Sequence, residues 1–245
     1  MFDYNSFRNA VIEANSELYE YINTHLSSAD LEDSNTISYG GDHSLNIDLK
    51  AENIFIKYLS SFGDIFSEEI GLVSSNSNIK IIIDPLDGSN NFLSNLPYFA
   101  TSVALKIDNE LKAGYICNLV NGILIFRENN LEVRQLSILT KKFIPLYHLK
   151  SPSIAIFERA YRFLNISKKL SENKIKYRSC GAIALSLANA RNYKFVLFAG
   201  QIREFDIAAG IYINGNLNIY QNNKFLLVCK NKEYFEFIKE IIKQE

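Results

Sequence analysis

Two aspartates, Asp84 and Asp87, stand in the motif DPLDGSNNF directly after an apolar run, Ile81–Ile83. The run is typical of a buried strand, and Pro85 should end it because proline has no N–H to donate to a sheet. Gly88 is free to adopt a positive φ in a tight turn. We therefore predict that the chain folds back here and brings the two carboxylates together at the end of a strand.

A metal ion would satisfy these carboxylates. Carboxylates that converge at an apolar strand repel one another and lose hydration, so they need a compensating cation. Between residues 58 and 105 the only base is Lys80, whereas Glu68 and Glu69 add further acids, so no local side chain supplies that charge. Oxygen ligands without nearby Cys or His favour Mg²⁺, Mn²⁺ or Ca²⁺ over zinc. The carbonyl of Leu86, between the two aspartates, is a further candidate ligand.

Two later features bear on the same chemistry. The residues from Gly88 to Asn91 resemble the start of a short helix, whose free N–H groups would suit a phosphate. Asp206 lies in the segment FDIAAG, where an aspartate fits the N-cap or first turn of a helix. On local grounds, helix capping and metal binding are both open for Asp206.

Composition excludes several classes of protein. The chain has 245 residues, 47% of them hydrophobic, enough for one large domain or two packed subdomains. With 26 basic and 27 acidic residues it has no general attraction to nucleic acid or membrane. It lacks an apolar run of about 20 residues, its N-terminus does not resemble a signal peptide, and its three cysteines are odd in number and widely spaced. These features predict a cytoplasmic protein with reduced thiols.

In the first half of the chain, the residue pattern predicts helices and an antiparallel sheet. Apolar residues at helical spacing predict a helix over about Tyr4–His25, followed by a mobile polar loop over Ser27–Ser44. Asp48 is a candidate cap for a second helix over about Leu49–Ser61. Alternating runs joined by Asn-Gly and similar turns predict a meander of strands over Tyr98–Ser137.

The second half alternates strands and helices, which predicts a mixed, more parallel sheet with helices on its faces. Helices are expected over Glu158 to about Leu164, over Gly181–Asn192 and from Phe205 onward. Loss of alternation around Pro145 and Pro152 places a boundary there. We therefore predict an N-terminal α+β subdomain, residues 1–147, and a C-terminal α/β subdomain, residues 148–245.

Three segments in order, Ser67–Glu69, Asp84–Phe92 and Phe205–Gly210, resemble the signatures of the inositol monophosphatase family. Its superfamily also holds fructose-1,6-bisphosphatases and 3'-phosphoadenosine-5'-phosphate phosphatases. The resemblance spans nearly the whole chain and implies a layered αβαβα sandwich, commonly a homodimer. It implies Mg²⁺-dependent hydrolysis of a small phosphate monoester, such as an inositol phosphate or sugar phosphate, by metal-activated water. One alternative is hydrolysis of a bisphosphate, either fructose-1,6-bisphosphate or 3'-phosphoadenosine-5'-phosphate. Another is a non-catalytic relative that binds a phosphorylated ligand.

The resemblance also implies roles for single residues. Glu68, Asp84 and the Leu86 carbonyl would bind one Mg²⁺, and Asp84, Asp87 and Asp206 a second. The Ser89 hydroxyl and Glu68 would orient the attacking water. The residues implied in substrate binding are Asp87, Gly88, Ser89, Gly181, Ala182 and Asp206. Asp48 would bind a third, looser metal ion.

Some positions depart from the family pattern. Ser89 replaces a threonine, Phe205 a tryptophan, and Leu45 a threonine in the segment before Asp48. Ala199 stands where inositol-specific members have a glutamate that binds sugar hydroxyls. Alanine cannot make that hydrogen bond, so we expect loose specificity, with several phosphoesters turned over within roughly 10–100-fold of one another.

Overall fold

A computed structural model of the chain describes residues 2–73 and 76–245. The α-helices are α1 Tyr4–Thr24, α2 Asn46–Leu59, α3 Ser89–Leu93, α4 Leu164–Glu172, α5 Ile183–Ala188, α6 Glu204–Ile213 and α7 Lys232–Lys243. The strands are β1 Asp33–Ile37, β2 His43–Leu45, β3 Asp64–Ser67, β4 Gly71–Val73, β5 Ile79–Asp87, β6 Ala100–Ile107, β7 Glu110–Asn118, β8 Ile123–Glu128, β9 Arg134–Ser137, β10 Lys142–Ile144, β11 Ala155–Glu158, β12 Tyr177–Arg178, β13 Val196–Ala199, β14 Asn218–Gln221 and β15 Phe225–Cys229.

An eight-stranded sheet forms the first half, in the order β10-β9-β8-β7-β6-β5-β3-β4. The predicted meander is confirmed as β6 to β9, which pair in antiparallel succession. Gly122, after Asn121, has φ +67° in the turn between β7 and β8, as the Asn-Gly signal requires. Within this sheet β3 and β5 form a parallel pair, so their carboxyl ends meet at one edge of the sheet.

A five-stranded sheet forms the second half, in the order β12-β11-β13-β15-β14. β11 pairs in parallel with both β12 and β13, whereas β15 is antiparallel to its neighbours. The predicted mixed sheet is therefore confirmed. The two sheets divide between β10 and β11, and the subdomain boundary at residues 147 and 148 stays a prediction.

Apolar packing arranges these elements in five layers. α1 and α2 cover one face of the eight-stranded sheet, where Phe7 and Phe55 pack with strand residues such as Tyr115. α5 and α6 lie between the two sheets and contribute apolar side chains to the cores on both sides. α4 and α7 cover the outer face of the five-stranded sheet. The order of layers is αβαβα, as predicted.

The prediction that Pro85 ends its strand is wrong, because β5 continues to Asp87. On one side, pairing with β3 stops at Ile83. On the other side, the register against β6 is irregular between Asp84 and Asp87. The missing N–H of Pro85 therefore costs the sheet no regular hydrogen bond.

Two further predictions of local structure are wrong. The segment Ser27–Ser44 is not simply a loop, since it holds a short 3₁₀ turn at Ser28–Leu31 and the hairpin of β1 and β2. The predicted helix from Glu158 to Leu164 is reduced to a 3₁₀ turn at Ala160–Arg162, because Glu158 still pairs within the sheet. Arg159 then takes φ +61°, outside the right-handed helical region, and α4 begins only at Leu164.

Over residues 2–73 and 76–245, the structure contains no helix with the length and apolar character that crossing a bilayer would require. Cys117, Cys180 and Cys229 are free in this structure, and Cys117 and Cys229 are buried.

Candidate metal centre

Three carboxylates converge where the two parallel strands end. Glu68, Asp84 and Asp206 each offer an oxygen, and these oxygens all lie within 4.8 Å of one another. Asp84 and Asp206 are only 2% exposed, and the Glu68 side chain is 13% exposed. Two buried carboxylates and one half-buried carboxylate at this separation form a compact site whose candidate ligand atoms are all oxygen.

The sheet explains why the first two carboxylates meet. Ser67 and Ile83 are register partners on the parallel strands β3 and β5, and the next N–H, that of Glu68, donates to the Ile83 carbonyl at 3.2 Å. Glu68 and Asp84 are the residues directly after this register pair, so they lie next to each other at the same edge of the sheet. Glu52, buried on α2, supports this edge by accepting a hydrogen bond from the Ile70 N–H at 3.2 Å.

The third carboxylate comes from α6, between the sheets. Asp206 lies in the first turn of that helix, so the helical position predicted for it is confirmed. The preceding residue, Phe205, accepts a hydrogen bond through its carbonyl from the Ser102 hydroxyl at 3.3 Å. Because Ser102 is the β6 partner of Asp84, this contact fixes the start of α6 beside Asp84.

Arg203 is the residue that sequence reasoning missed. Its Nη1 lies 2.7 Å from a Glu68 oxygen, and its Nε lies 3.0 Å from an Asp206 oxygen. The expectation that no side chain neutralises these acids is correct for residues close to Glu68 and Asp84 in sequence, but Arg203 is distant from both. Its position three residues before Asp206, one helical turn away, is the feature of the sequence that would have indicated this contact.

The tip of the β1–β2 hairpin lies against this site. Arg203 also binds Asp42, at 2.8 Å, and the backbone N–H groups of Tyr39 and Gly40 donate to the carbonyls of Glu69 and Glu68, both at 2.9 Å. The region predicted as a mobile loop is thus hydrogen-bonded to the backbone of a candidate ligand.

Burial sets the protonation of the three acids. It raises the pKa of Glu68 from 4.5 to about 8, although the charge of Arg203 opposes the shift. It also raises the pKa of Asp84 well above its usual range, with Glu68, Asp87 and Asp206 adding repulsion. The pKa of Asp206 is raised by burial and lowered in part by Arg203. A divalent cation would offset both causes, because it replaces lost hydration and cancels the repulsion.

Asp87 is not one of the three converging carboxylates. Its Oδ1 accepts from the N–H of Ile183 at 3.1 Å, and its Oδ2 from those of Ala184 and Leu185 at 2.7 and 3.2 Å. It therefore fixes the first turn of α5 from a distant strand. Burial and then Asp206 raise the pKa of Asp87, so its role as a metal ligand stays a prediction.

The segments predicted to bind substrate come together beside this turn. A Cβ on Gly88, which has φ +92°, would lie 3.0 Å from the Ala182 side chain. Asn91 donates to the carbonyls of Tyr98 and Cys180, both at 2.7 Å, and so ties α3 to the segment that starts at Gly181. Ser89 is the first residue of α3 and is half-buried.

Two candidate ligands lie beside the cluster rather than in it. Leu86 is buried in β5 and donates its N–H to Asp84 at 3.0 Å. Asp48 is in the first turn of α2 and accepts from the N–H of Leu45 at 2.9 Å. Burial raises the pKa of Asp48 to about 7. Metal binding by the Leu86 carbonyl and by Asp48 stays a prediction.

Comparison with known sequences identifies relatives. The sequence model described as "Inositol monophosphatase family" matches residues 3–214. A fructose-1,6-bisphosphatase from Pyrococcus furiosus is 39% identical over 70 residues, which cover 28% of this chain and 28% of that protein. An inositol-1-monophosphatase from Mesorhizobium japonicum is 38% identical over 82 residues, covering 32% of this chain and 31% of that protein. The matched segments thus span under a third of either relative.

Solved structures show the same architecture. A crystal structure named inositol monophosphatase-fructose 1,6 bisphosphatase superposes with a TM-score of 0.76 at 21% identity. The match covers 98% of this chain and 100% of that one. At this identity the likeness shows a shared fold.

Proposed function

The chain belongs to the inositol monophosphatase family, and we propose that it is a Mg²⁺-dependent phosphomonoesterase of small phosphorylated metabolites. The observation that carries the proposal is the group of three carboxylates, the half-buried Glu68 and the buried Asp84 and Asp206, with oxygens within 4.8 Å of one another. Arg203 pairs with Glu68 and Asp206 but brings one positive charge to three acids. Holding the remaining negative charge away from water is costly without a further cation, so the arrangement favours a metal site over a structural one.

The residues fit Mg²⁺. The donor set contains only oxygen, which suits a hard cation. Glu68, Asp84 and the Leu86 carbonyl would hold one ion, and Asp84, Asp87 and Asp206 would hold a second. When bound, such ions lower the pKa of a coordinated water and stabilise a leaving oxygen.

The other residues would act on the substrate directly. Ser89 is the first residue of α3. Its hydroxyl would help Glu68 to orient a water molecule, which is a general-base role. Gly88 and Ser89 would present N–H groups to the phosphate. Asp87 accepts hydrogen bonds from the first turn of α5 and would in this way hold Gly181 and Ala182 beside Gly88 and Ser89. The family resemblance supports these roles, and also the proposals of a homodimer and of a cytoplasmic location.

The test is phosphate release from inositol-1-phosphate, fructose-1,6-bisphosphate, 3'-phosphoadenosine-5'-phosphate and glycerol-2-phosphate, with Mg²⁺ or with a chelator. We expect Mg²⁺-dependent turnover that falls by at least about 100-fold in Asp84→Asn, since metal activation is worth several kcal/mol. The matched control is Asp108→Asn, at an exposed turn position with φ +51° that asparagine adopts readily. Undiminished turnover in chelator would contradict the metal assignment.

A further inference from the structure

The balanced charge of the whole chain conceals a division between its two halves. Residues 148–245 hold 16 of the 26 basic residues and 8 of the 27 acidic ones, a net charge of +8. Residues 1–147 hold the other 10 basic and 19 acidic residues, a net charge of −9. An asymmetry of this size favours an anionic partner for the basic half, which the total charge of the chain does not reveal.

Five lysines of the basic half lie along one edge of the five-stranded sheet, which we call the lysine edge. The parallel strands β12, β11 and β13 begin at this edge, and the antiparallel strand β15 ends there. The Lys176 carbonyl accepts from the Ala155 N–H at 2.9 Å, and the Lys194 N–H donates to the Ile154 carbonyl at 2.8 Å. The lysines thus follow one another across neighbouring strands, which lie about 5 Å apart. The five are Lys174, Lys176, Lys194, Lys230 and Lys232.

The lysine edge carries positive charge that the chain itself does not neutralise. Over residues 2–73 and 76–245, none of its five lysines has a carboxylate oxygen within 4.0 Å. Four of the five are exposed, and the half-buried Lys194 donates to the Tyr234 hydroxyl at 3.4 Å. Of the two acids nearest in sequence, Glu172 pairs with Lys168 and Glu233 is exposed. Six lysines elsewhere do have a carboxylate partner: Lys57, Lys106, Lys112, Lys141, Lys168 and Lys243.

Two exposed apolar side chains lie beside the lysine edge. Tyr147 is 78% exposed and Leu149 is 54% exposed. The Leu149 N–H donates to the Asn192 side chain at 3.1 Å, two residues before Lys194, so this segment passes the point where β13 begins. Lys150, which follows, is exposed as well. Lysines and protruding apolar side chains on one surface are the combination that binds anionic lipid.

We propose that the lysine edge docks the protein on an anionic lipid bilayer, with Tyr147 and Leu149 among the headgroups. Ammonium groups are compact point charges that attract anionic headgroups without a fixed geometry, whereas nucleic-acid recognition favours the planar fork of arginine. An aliphatic side chain such as Leu149 gains from contact with acyl chains, but it cannot stack on a base as an aromatic ring does. The metal centre lies at the opposite edge, since Asp206 follows the carboxyl end of β13, so the docked protein keeps that centre open to water.

Cosedimentation of the full chain with lipid vesicles measures this attraction. We expect binding to mixed vesicles of phosphatidylserine and phosphatidylcholine, none to phosphatidylcholine alone, and weaker binding at higher salt because the charges are exposed. Lys176→Gln combined with Lys230→Gln should weaken binding about 25-fold, since each lysine near an anionic surface contributes roughly a factor of five. The control combines Lys168→Gln with Lys243→Gln, exposed positions on the outer helices, and should bind within a factor of about two of the wild type.

A fluorescent reporter tests the orientation of the docked protein. The chain has no tryptophan, so Tyr147→Trp places a single indole beside the lysine edge. Its emission should shift to the blue when mixed vesicles are added, because indole rings settle at the headgroup level of a bilayer. Tyr161→Trp is the matched control, at a 69% exposed position after the carboxyl end of β11, and should show no shift.

Three results would overturn the proposal. They are the absence of wild-type binding to mixed vesicles at low salt, an equal loss of binding in the two double variants, and a blue shift for Tyr161→Trp without one for Tyr147→Trp. If the first is accompanied by binding of a single-stranded RNA oligonucleotide that is lost in the Lys176 and Lys230 double variant, the lysine edge binds nucleic acid instead. None of these measurements uses phosphatase activity, so their outcome leaves the proposed function untouched.

Discussion

Raising the pH from about 6 to about 8 without metal should destabilise this fold, and Mg²⁺ should reverse the effect. Burial raises the pKa of Glu68 from 4.5 to about 8. A carboxyl with a raised folded-state pKa keeps its proton up to a higher pH in the folded chain than in the unfolded chain. Its contribution to stability is therefore fully present below its unfolded pKa of 4.5 and is lost as the pH rises through about 8.

The size of the effect follows from the shift. Each pH unit inside this window lowers the free energy of unfolding by about 1.4 kcal/mol for each proton that the folded chain binds in excess of the unfolded chain. Glu68 alone should therefore lower it by about 2.5 kcal/mol between pH 6 and pH 8. In a chain of 245 residues this corresponds to a fall in Tm of about 5–10 °C. Mg²⁺ binds deprotonated carboxylates, so it should stabilise the protein more at pH 8 than at pH 6.

The assay is thermal unfolding at several pH values, with a chelator or with Mg²⁺. Glu68→Gln removes one titrating group and should reduce the metal-free pH dependence by the share calculated for Glu68, while Asp48, whose pKa burial raises to about 7, still titrates in this range. Glu236→Gln changes an exposed carboxylate of α7 and should leave that dependence as in the wild type. A metal-free Tm that does not change between pH 6 and pH 8, or an equal gain from Mg²⁺ at both, would refute the reasoning.

Three other predictions concern single elements. Asp87→Asn should abolish turnover and lower the free energy of unfolding by about 1 kcal/mol, because a neutral amide replaces the acceptor of three α5 N–H groups; urea unfolding and phosphate release measure the two effects. Ser89→Ala should lower kcat by about 100-fold with little change in KM, whereas Ser89→Thr should be tolerated, which steady-state kinetics would check. Hydrogen exchange over residues 38–42 should slow when Mg²⁺ and phosphate bind, and unchanged exchange there would argue against closure of the hairpin over the site.

The sequence predicted those parts of the site that depend on short-range chemistry. Gly88 does take a positive φ, a short helix does follow it, and Asp206 does lie in a first helical turn. Alternation and turn signals also predicted both sheets, and the family resemblance implied the five layers. These features arise within one strand, one turn or one helix, where spacing alone carries the information.

The rest depends on contacts between distant segments. Whether Pro85 breaks a strand depends on which neighbours need its N–H, and that is set by where pairing with β3 stops and by the irregular register against β6. Arg203 neutralises Glu68 from 135 positions along the chain, as their numbers 203 and 68 show, so a count of local charges misses it. Asp87 likewise serves α5 through backbone N–H groups nearly a hundred residues away, at 96 to 98 positions.

The carboxylates meet only because α6 lies unusually close to its neighbours. A Cβ on Gly114 of β7 would come within 2.5 Å of the Ala209 carbonyl oxygen, and one on Gly210 would come within 2.5 Å of Leu187 on α5. Two glycines on different elements therefore set how deeply α6 sits between the sheets, and with it how near Asp206 lies to Asp84. The distance between the three carboxylates thus depends on apolar packing as well as on the hydrogen bond from Ser102 to Phe205, which is why the site belongs to the layered fold as a whole and not to the DPLDG motif alone.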